Sequence, residues 1–146
     1  MTSPADLQQL APTGQLRGGV VAAPAASAFF AIREGKGEVR GVTVDLIRSF
    51  AAALKLPLAL QIYDNSGQVT DAVASGDCDV AFMPQDAERA KRVDFGPAYY
   101  FIESTYLVPA GSTISTIDEV NRPGRRIVAI SNTTTARSAR RTAPHA

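Results

Sequence analysis

The chain has 146 residues, 45% of them hydrophobic and 20% charged, with a formal net charge of +1. That balance fits one ordinary domain, or one domain plus part of another, and excludes both wholesale disorder and nucleic-acid binding by bulk charge. A single cysteine and a single histidine, Cys78 and His145, exclude an intrachain disulfide framework, a multi-cysteine zinc site and a Ser-His-Asp or Cys-His machine within this chain.

Residues 1–13 read as a lead, with Ser3 capping a turn or two of helix from Pro4 to Leu10. Leu16 to Ala22 reads as a first strand, and Ala23 to Phe30 as a loop containing Pro24. The run Gly18–Ile32 is too short to span a bilayer and has no lysine or arginine before Arg17, so strand and loop describe it better than an export signal does. Glu34-Gly35-Lys36-Gly37-Glu38 is a hairpin-like turn.

Thr43 is the expected cap of the next helix, with Asp45 in its first turn, where its charge suits the helix dipole. Leu46, Ile47, Phe50, Ala51 and Leu54 then repeat at helical spacing. Leu58 to Tyr63 is a strand. Asn65 or Ser66 caps a helix that carries Val69, Ala72 and Val73 inward, and Gly76 is placed to end it in the left-handed conformation.

Asp79 to Met83 is a short apolar strand, and Asp86 to Lys91 a short helix capped by Asp86. Tyr99 to Val108 and Arg126 to Ile130 carry strand composition. Between them, Ser115 or Thr116 caps a single helical turn over Ile117 to Val120. A last helix begins at Thr133-Thr134-Thr135. Strands alternating with helices predict an α/β fold with a largely parallel sheet, which binds ligands beyond the carboxyl ends of its strands. Six arginines, Arg122, Arg125, Arg126, Arg137, Arg140 and Arg141, crowd the last quarter, and no acid follows Glu119. They are expected to coat an exposed helix face or to meet a partner segment.

Three segments carry functional information. The first is Gly41-Val-Thr-Val-Asp-Leu-Ile-Arg-Ser-Phe. The second runs from Gly76-Asp-Cys-Asp-Val-Ala-Phe-Met-Pro through Arg89 to Val93-Asp-Phe-Gly-Pro-Ala-Tyr-Tyr. The third is Gly124-Arg-Arg-Ile-Val-Ala-Ile-Ser-Asn-Thr-Thr-Thr-Ala. In order and spacing they resemble the family 3 extracellular solute-binding proteins of ABC transporters, from about Gly14 to Ala136. The resemblance implies a periplasmic-binding-protein-like fold of two α/β lobes that close over a small ligand. It assigns residues 14–108 to the first lobe, 109–123 to a connection, and 124–146 to the start of a second lobe that is incomplete in this chain.

The resemblance also nominates residues. Arg89 matches the arginine that grips the ligand carboxylate in amino-acid binders of the family; a guanidinium fork suits a carboxylate. The plainer alternative is an arginine paired to Asp86 or Glu88. Phe82 and Pro84 stand where the family has small or hydroxyl residues, and Asp86 replaces its usual threonine. Proline has no N–H to offer, so an organic acid or other small anion fits as well as an α-amino acid. Met83 either lines the cleft or packs beneath it.

Phe29 and Phe30 either stack on a ligand or fill the core, and Ser27 is a weaker polar candidate. Thr134 and Thr135 match a helix start suited to an anion, although capping alone also accounts for them. Asp45 and Cys78 read as structural, and Tyr99 and Tyr100 as packing residues.

The resemblance therefore implies a binding protein that takes an amino acid or organic acid and serves an ABC permease. It implies no enzyme activity, cofactor, metal or nucleic-acid partner, and it places the family in the periplasm; without a clear export signal a cytoplasmic location stays open. A cyclohexadienyl dehydratase-like enzyme on the same fold and a truncated lobe without ligand binding are the alternatives. Surface left by a missing lobe is expected to favour self-association.

Overall fold

The computed structural model describes residues 3–22, 29–34 and 37–146. Ser27, the loop around Pro24 and the centre of the 34–38 turn lie outside the described residues. The chain divides into two compact units, Met1–Asp94 and Phe95–Ala146.

In the first unit, α1 (Pro4–Leu10) starts as its sequence predicts, with the Ser3 hydroxyl and the Asp6 carboxylate each accepting from the other's backbone N–H. Strand β1 (Leu16–Val21) is the centre of a parallel sheet with the order β4-β1-β5. Strand β4 (Leu58–Tyr63) pairs along the whole of β1, from Leu16 against Leu58 to Val21 against Tyr63. Strand β5 is only Val80–Ala81, shorter than the expected 79–83. An antiparallel hairpin, β2 (Ile32–Glu34) and β3 (Glu38–Arg40), forms separately.

Side chains alternate across β1, and its two faces carry one helix each. On one face Leu16 and Val20 are fully buried, and Val20 packs with Val44 and Ile47 of α2 (Val42–Leu54) and with Val39 of the hairpin. On the other face lies α3 (Ser66–Ser75), with Val69 buried beside Cys78. Two adjacent glycines permit this double approach. A Cβ at Gly18 would lie 2.3 Å from Ile47 Cδ1, and one at Gly19 would lie 2.7 Å from Val69 Cγ2 and 2.9 Å from Cys78 Sγ. Such contacts are far inside van der Waals distance.

Helix α2 starts earlier than expected. Gly41, at φ 139°, is its N-cap, and Thr43 lies inside the first turn. The Thr43 hydroxyl is buried and donates to the Phe30 carbonyl at 2.7 Å, so it anchors the incoming chain instead of capping the helix. Asn65 caps α3 through Gly67 and Gln68, and Gly76 ends it at φ 81°.

At the amino end of the sheet Arg17 and Asp79 form a two-pronged ion pair. Asp79 also accepts from the Arg17 amide at 2.8 Å and returns its own amide to the Arg17 carbonyl at 2.9 Å. The pair locks β5 to β1 from below.

The second unit holds α4 (Ile117–Val120) and α5 (Thr134–Thr142). The strands expected over 99–108 and 126–130 are not formed. Strand composition alone makes no ladder; a strand exists only when a neighbour takes its N–H and C=O groups. Among the described residues no backbone hydrogen bond joins residues 101–108 or 126–129 to another segment. No helix of the described residues is long and apolar enough to cross a membrane.

Candidate functional site

Parallel strands deliver their following loops to one edge of the sheet. Here that edge receives Phe82-Met83-Pro84 after β5 and Asp64-Asn65-Ser66 after β4. Asn65 must leave the strand and start α3, which leaves Ser66 as the first helical residue with its hydroxyl facing the neighbouring loop.

Arg89 joins these two loops. Pro84 cannot donate, but its carbonyl accepts from Arg89 Nη1 at 2.8 Å, and the Ser66 hydroxyl lies 2.7 Å from Nη2. Arg89 is only 3% exposed. A charged side chain is tolerated at such depth only when its N–H groups are satisfied. Each charge-assisted bond is worth about 1.5–3 kcal/mol, so the arginine clasps the carboxyl ends of β4 and β5 together.

The turn that carries Arg89 is a 3-10 helix, Arg89–Lys91, shorter than the expected helix. The Asp86 carboxylate accepts from the amides of Glu88 (3.1 Å) and Arg89 (3.0 Å), and this bonding fixes the direction in which Arg89 leaves the backbone. Glu88 meets Lys91 at 2.7 Å on the surface.

Met83 belongs to the same cluster. The Thr70 hydroxyl of α3 lies 2.6 Å from the Ser66 carbonyl and 3.1 Å from Met83 Sδ. Arg89, Pro84 and Met83 are thus brought together, with Ser66 and Thr70 as additional members. Sequence reasoning considered Ser66 only as a cap and did not single out Thr70. The available signal was the pattern of hydroxyls at 66 and 70, one helical turn apart on the face beside β5.

Phe29 and Phe30 form a pair of their own, edge to face with ring centroids 5.3 Å apart. Both are half-buried, and Phe30 is fixed to α2 through its carbonyl. Phe82 packs partly buried against the α2-side core. Asp45 is exposed and lies 3.9 Å from Arg48, as its place in the first turn of α2 suggests.

Thr134 and Thr135 belong to the second unit and open α5. The cap is Thr133, whose Oγ1 accepts from the Ala136 amide at 3.2 Å and donates to the Ile130 carbonyl at 2.7 Å; Thr135 Oγ1 stands 3.0 Å from it.

Cys78 is buried, and burial pushes its thiol up to about 11. A protonated thiol that lies 3.2 Å from the Val80 carbonyl packs as a small hydrophobe and is a poor nucleophile. Among the described residues no three His, Cys, Asp or Glu side chains gather as a metal site. The chemistry on offer is a buried cation at the ligand-binding edge of a parallel sheet, which suits a small anion.

Comparison with known proteins finds relatives of this chain. The chain is 30% identical over 106 residues to a probable histidine-binding protein of Neisseria gonorrhoeae, a match covering 70% of this chain and 38% of that protein. It is 28% identical over 117 residues to an ABC transporter glutamine-binding protein of Bacillus subtilis (strain 168), covering 75% of this chain and 41% of the relative. The chain therefore spans about two-fifths of the length of these relatives.

The crystal structure of an ancestral amino acid-binding protein, a precursor of cyclohexadienyl dehydratase, superposes with a TM-score of 0.76 at 24% identity. That match covers 95% of this chain and 61% of the other, and it establishes a common fold. Residues 20–142 match the bacterial extracellular solute-binding proteins, family 3, and the chain belongs to that family.

Proposed function

We propose that this chain serves as the solute-binding component of an ABC transporter and grips the carboxylate of a small amino acid or organic acid with Arg89. In this reading the protein works outside the cytoplasmic membrane and hands its solute to a permease. Residues 14–108 form its first lobe, and residues from 124 begin the second. The observation that carries the reading is the clasp of Arg89 between the Pro84 carbonyl and the Ser66 hydroxyl at the carboxyl ends of the strands.

The guanidinium is held in position before any ligand arrives, so little ordering is required of it on binding. A ligand carboxylate is a stronger acceptor than the neutral Ser66 hydroxyl and displaces it from Nη2. Phe29 and Phe30 supply an aromatic wall, and Met83 lies under the ligand. The relatives are named for binding histidine and glutamine, which supports binding without turnover.

The test is titration calorimetry with histidine and glutamine on the chain and on Arg89→Lys. Lysine keeps the charge and loses the fork. Losing about 1.5–3 kcal/mol of charged hydrogen bonding weakens binding by roughly 10–150-fold. Melting both proteins without ligand separates lost binding from lost folding. Equal affinity in two equally folded proteins contradicts the assignment of Arg89.

A further inference from the structure

One hydroxyl at the Arg89 site has a proton to spare. A guanidinium only donates, so Ser66 Oγ, 2.7 Å from Arg89 Nη2, is the acceptor of that bond. Among the described residues the Ser66 side chain makes no bond in which its own O–H donates. The hydroxyl is not needed as a helix cap either, because Asn65 Oδ1 accepts from the Gly67 and Gln68 amides at 2.9 and 3.0 Å. Ser66 is half-buried, so its proton is left to water or to whatever fills the site.

The oxygen that carries this proton is held in place. Ser66 is the first residue of α3, and its carbonyl accepts from the Thr70 hydroxyl at 2.6 Å. Thr70 is 2% exposed, and the same hydroxyl stands 3.1 Å from Met83 Sδ in the loop after β5. Thr70 therefore ties the residue that presents the hydroxyl to the loop whose Pro84 carbonyl orients Arg89.

We propose that Ser66 is a ligand-binding residue that selects for a carboxylate, its hydroxyl accepting from Arg89 in the free chain and donating to the ligand in the complex. The proposal rests on the reading that Arg89 grips a carboxylate. When a carboxylate takes Nη2, the displaced hydroxyl stays beside it, because α3 holds the Ser66 backbone. Rotation of the side chain then turns the O–H toward the same carboxylate. Serine serves both states because a hydroxyl both accepts and donates. A carboxylate accepts at both oxygens and so answers a guanidinium and a hydroxyl together. A carboxamide offers one uncharged acceptor, and its NH2 group meets donors. The Ser66 bond is also stronger to a charged acceptor than to a neutral one. Ser66 thus adds to the discrimination between an acid and its amide beyond what Arg89 provides.

Calorimetric titration with histidine and with histidinamide tests this on the chain and on Ser66→Ala, Ser66→Cys, Ser66→Thr and Arg89→Lys. The quantity read is the ratio of the two affinities. Loss of the Ser66–Arg89 bond in the free chain affects both ligands alike and cancels in that ratio, as does any change in packing. In Ser66→Ala the preference for histidine falls about fivefold, the difference between a charged and a neutral acceptor. Ser66→Cys, with a weak donor of similar size, moves the ratio in the same direction, and Ser66→Thr, which keeps a hydroxyl, retains the ratio of the unsubstituted chain. An unchanged ratio in Ser66→Ala and Ser66→Cys, with histidine still weakened by Arg89→Lys, overturns the role of Ser66 and leaves that of Arg89. An equal fall in Ser66→Thr overturns it as well. Absence of histidine binding, or binding indifferent to Arg89→Lys, removes the carboxylate grip and this proposal with it.

Discussion

The seating of helices on both faces of β1 depends on two residues without side chains, and Gly19→Ala tests it. The added methyl would lie 2.7 Å from Val69 Cγ2, 2.9 Å from Cys78 Sγ and 3.2 Å from Tyr63 Cε2. Val69 is fully buried and stiff at χ1, and Cys78 is 2% exposed, so neither yields freely. Overpacking of this kind costs about 1–3 kcal/mol. Reduced freedom of the unfolded chain returns about 0.4–1 kcal/mol, leaving a net loss of about 1–2 kcal/mol. Urea unfolding reads this as a lower midpoint at constant slope, and a thermal melt as a fall of about 4–8 °C per kcal/mol for a unit of this size. Gly96→Ala is the control, because a methyl there meets nothing within 4 Å. If Gly19→Ala proves as stable as Gly96→Ala, α3 is not seated on β1 as described, and the position of Ser66 against Arg89 loses its basis.

Asn65→Ala removes the acceptor for the Gly67 and Gln68 amides and costs about 1 kcal/mol in urea unfolding; an unchanged midpoint contradicts the capping geometry. Glu119 accepts from the Ser115 amide and hydroxyl and from the Thr116 amide, and these bonds hold its carboxyl down to about 2 against an ordinary 4.5. A depressed carboxylate stabilises the folded state above its ordinary value and loses that contribution as the pH falls toward 2. The Ser115 amide resonance should therefore titrate with a midpoint near 2, and a midpoint at the ordinary carboxylate value contradicts the capped geometry of α4.

The fold was legible where local signals and pairing partners agreed. Leu58–Tyr63 forms the predicted strand because β1 lies along its whole length, and α3 runs from Asn65, one of its two expected caps, to its predicted Gly76 stop. Thr43 misled because a threonine before an apolar run satisfies the capping pattern equally well from inside the first turn. Residues 99–108 and 126–130 misled for a deeper reason: β-propensity records fitness for a half-buried pleated surface and does not supply the partner.

The site was half legible. The motif nominates Arg89 and Pro84, with an arginine paired to Asp86 or Glu88 as the plainer alternative. In the structure Glu88 meets Lys91, and Asp86 accepts from the backbone amides of Glu88 and Arg89. The partners Arg89 found include a carbonyl five residues back and a hydroxyl 23 residues back, and only the parallel crossover brings the second within reach. Ser66 and Thr70 escaped notice because their roles depend on the register of α3 against β5.

The central claim is that a carboxylate is what Arg89 holds. Calorimetric titration of the chain with histidine and with histamine, which differ by that carboxylate, tests it most directly. The clasp at Arg89 predicts that histidine binds and that histamine binds at least about tenfold more weakly, the difference one charged hydrogen bond of 1.5–3 kcal/mol makes. Equal affinity for the two would contradict it.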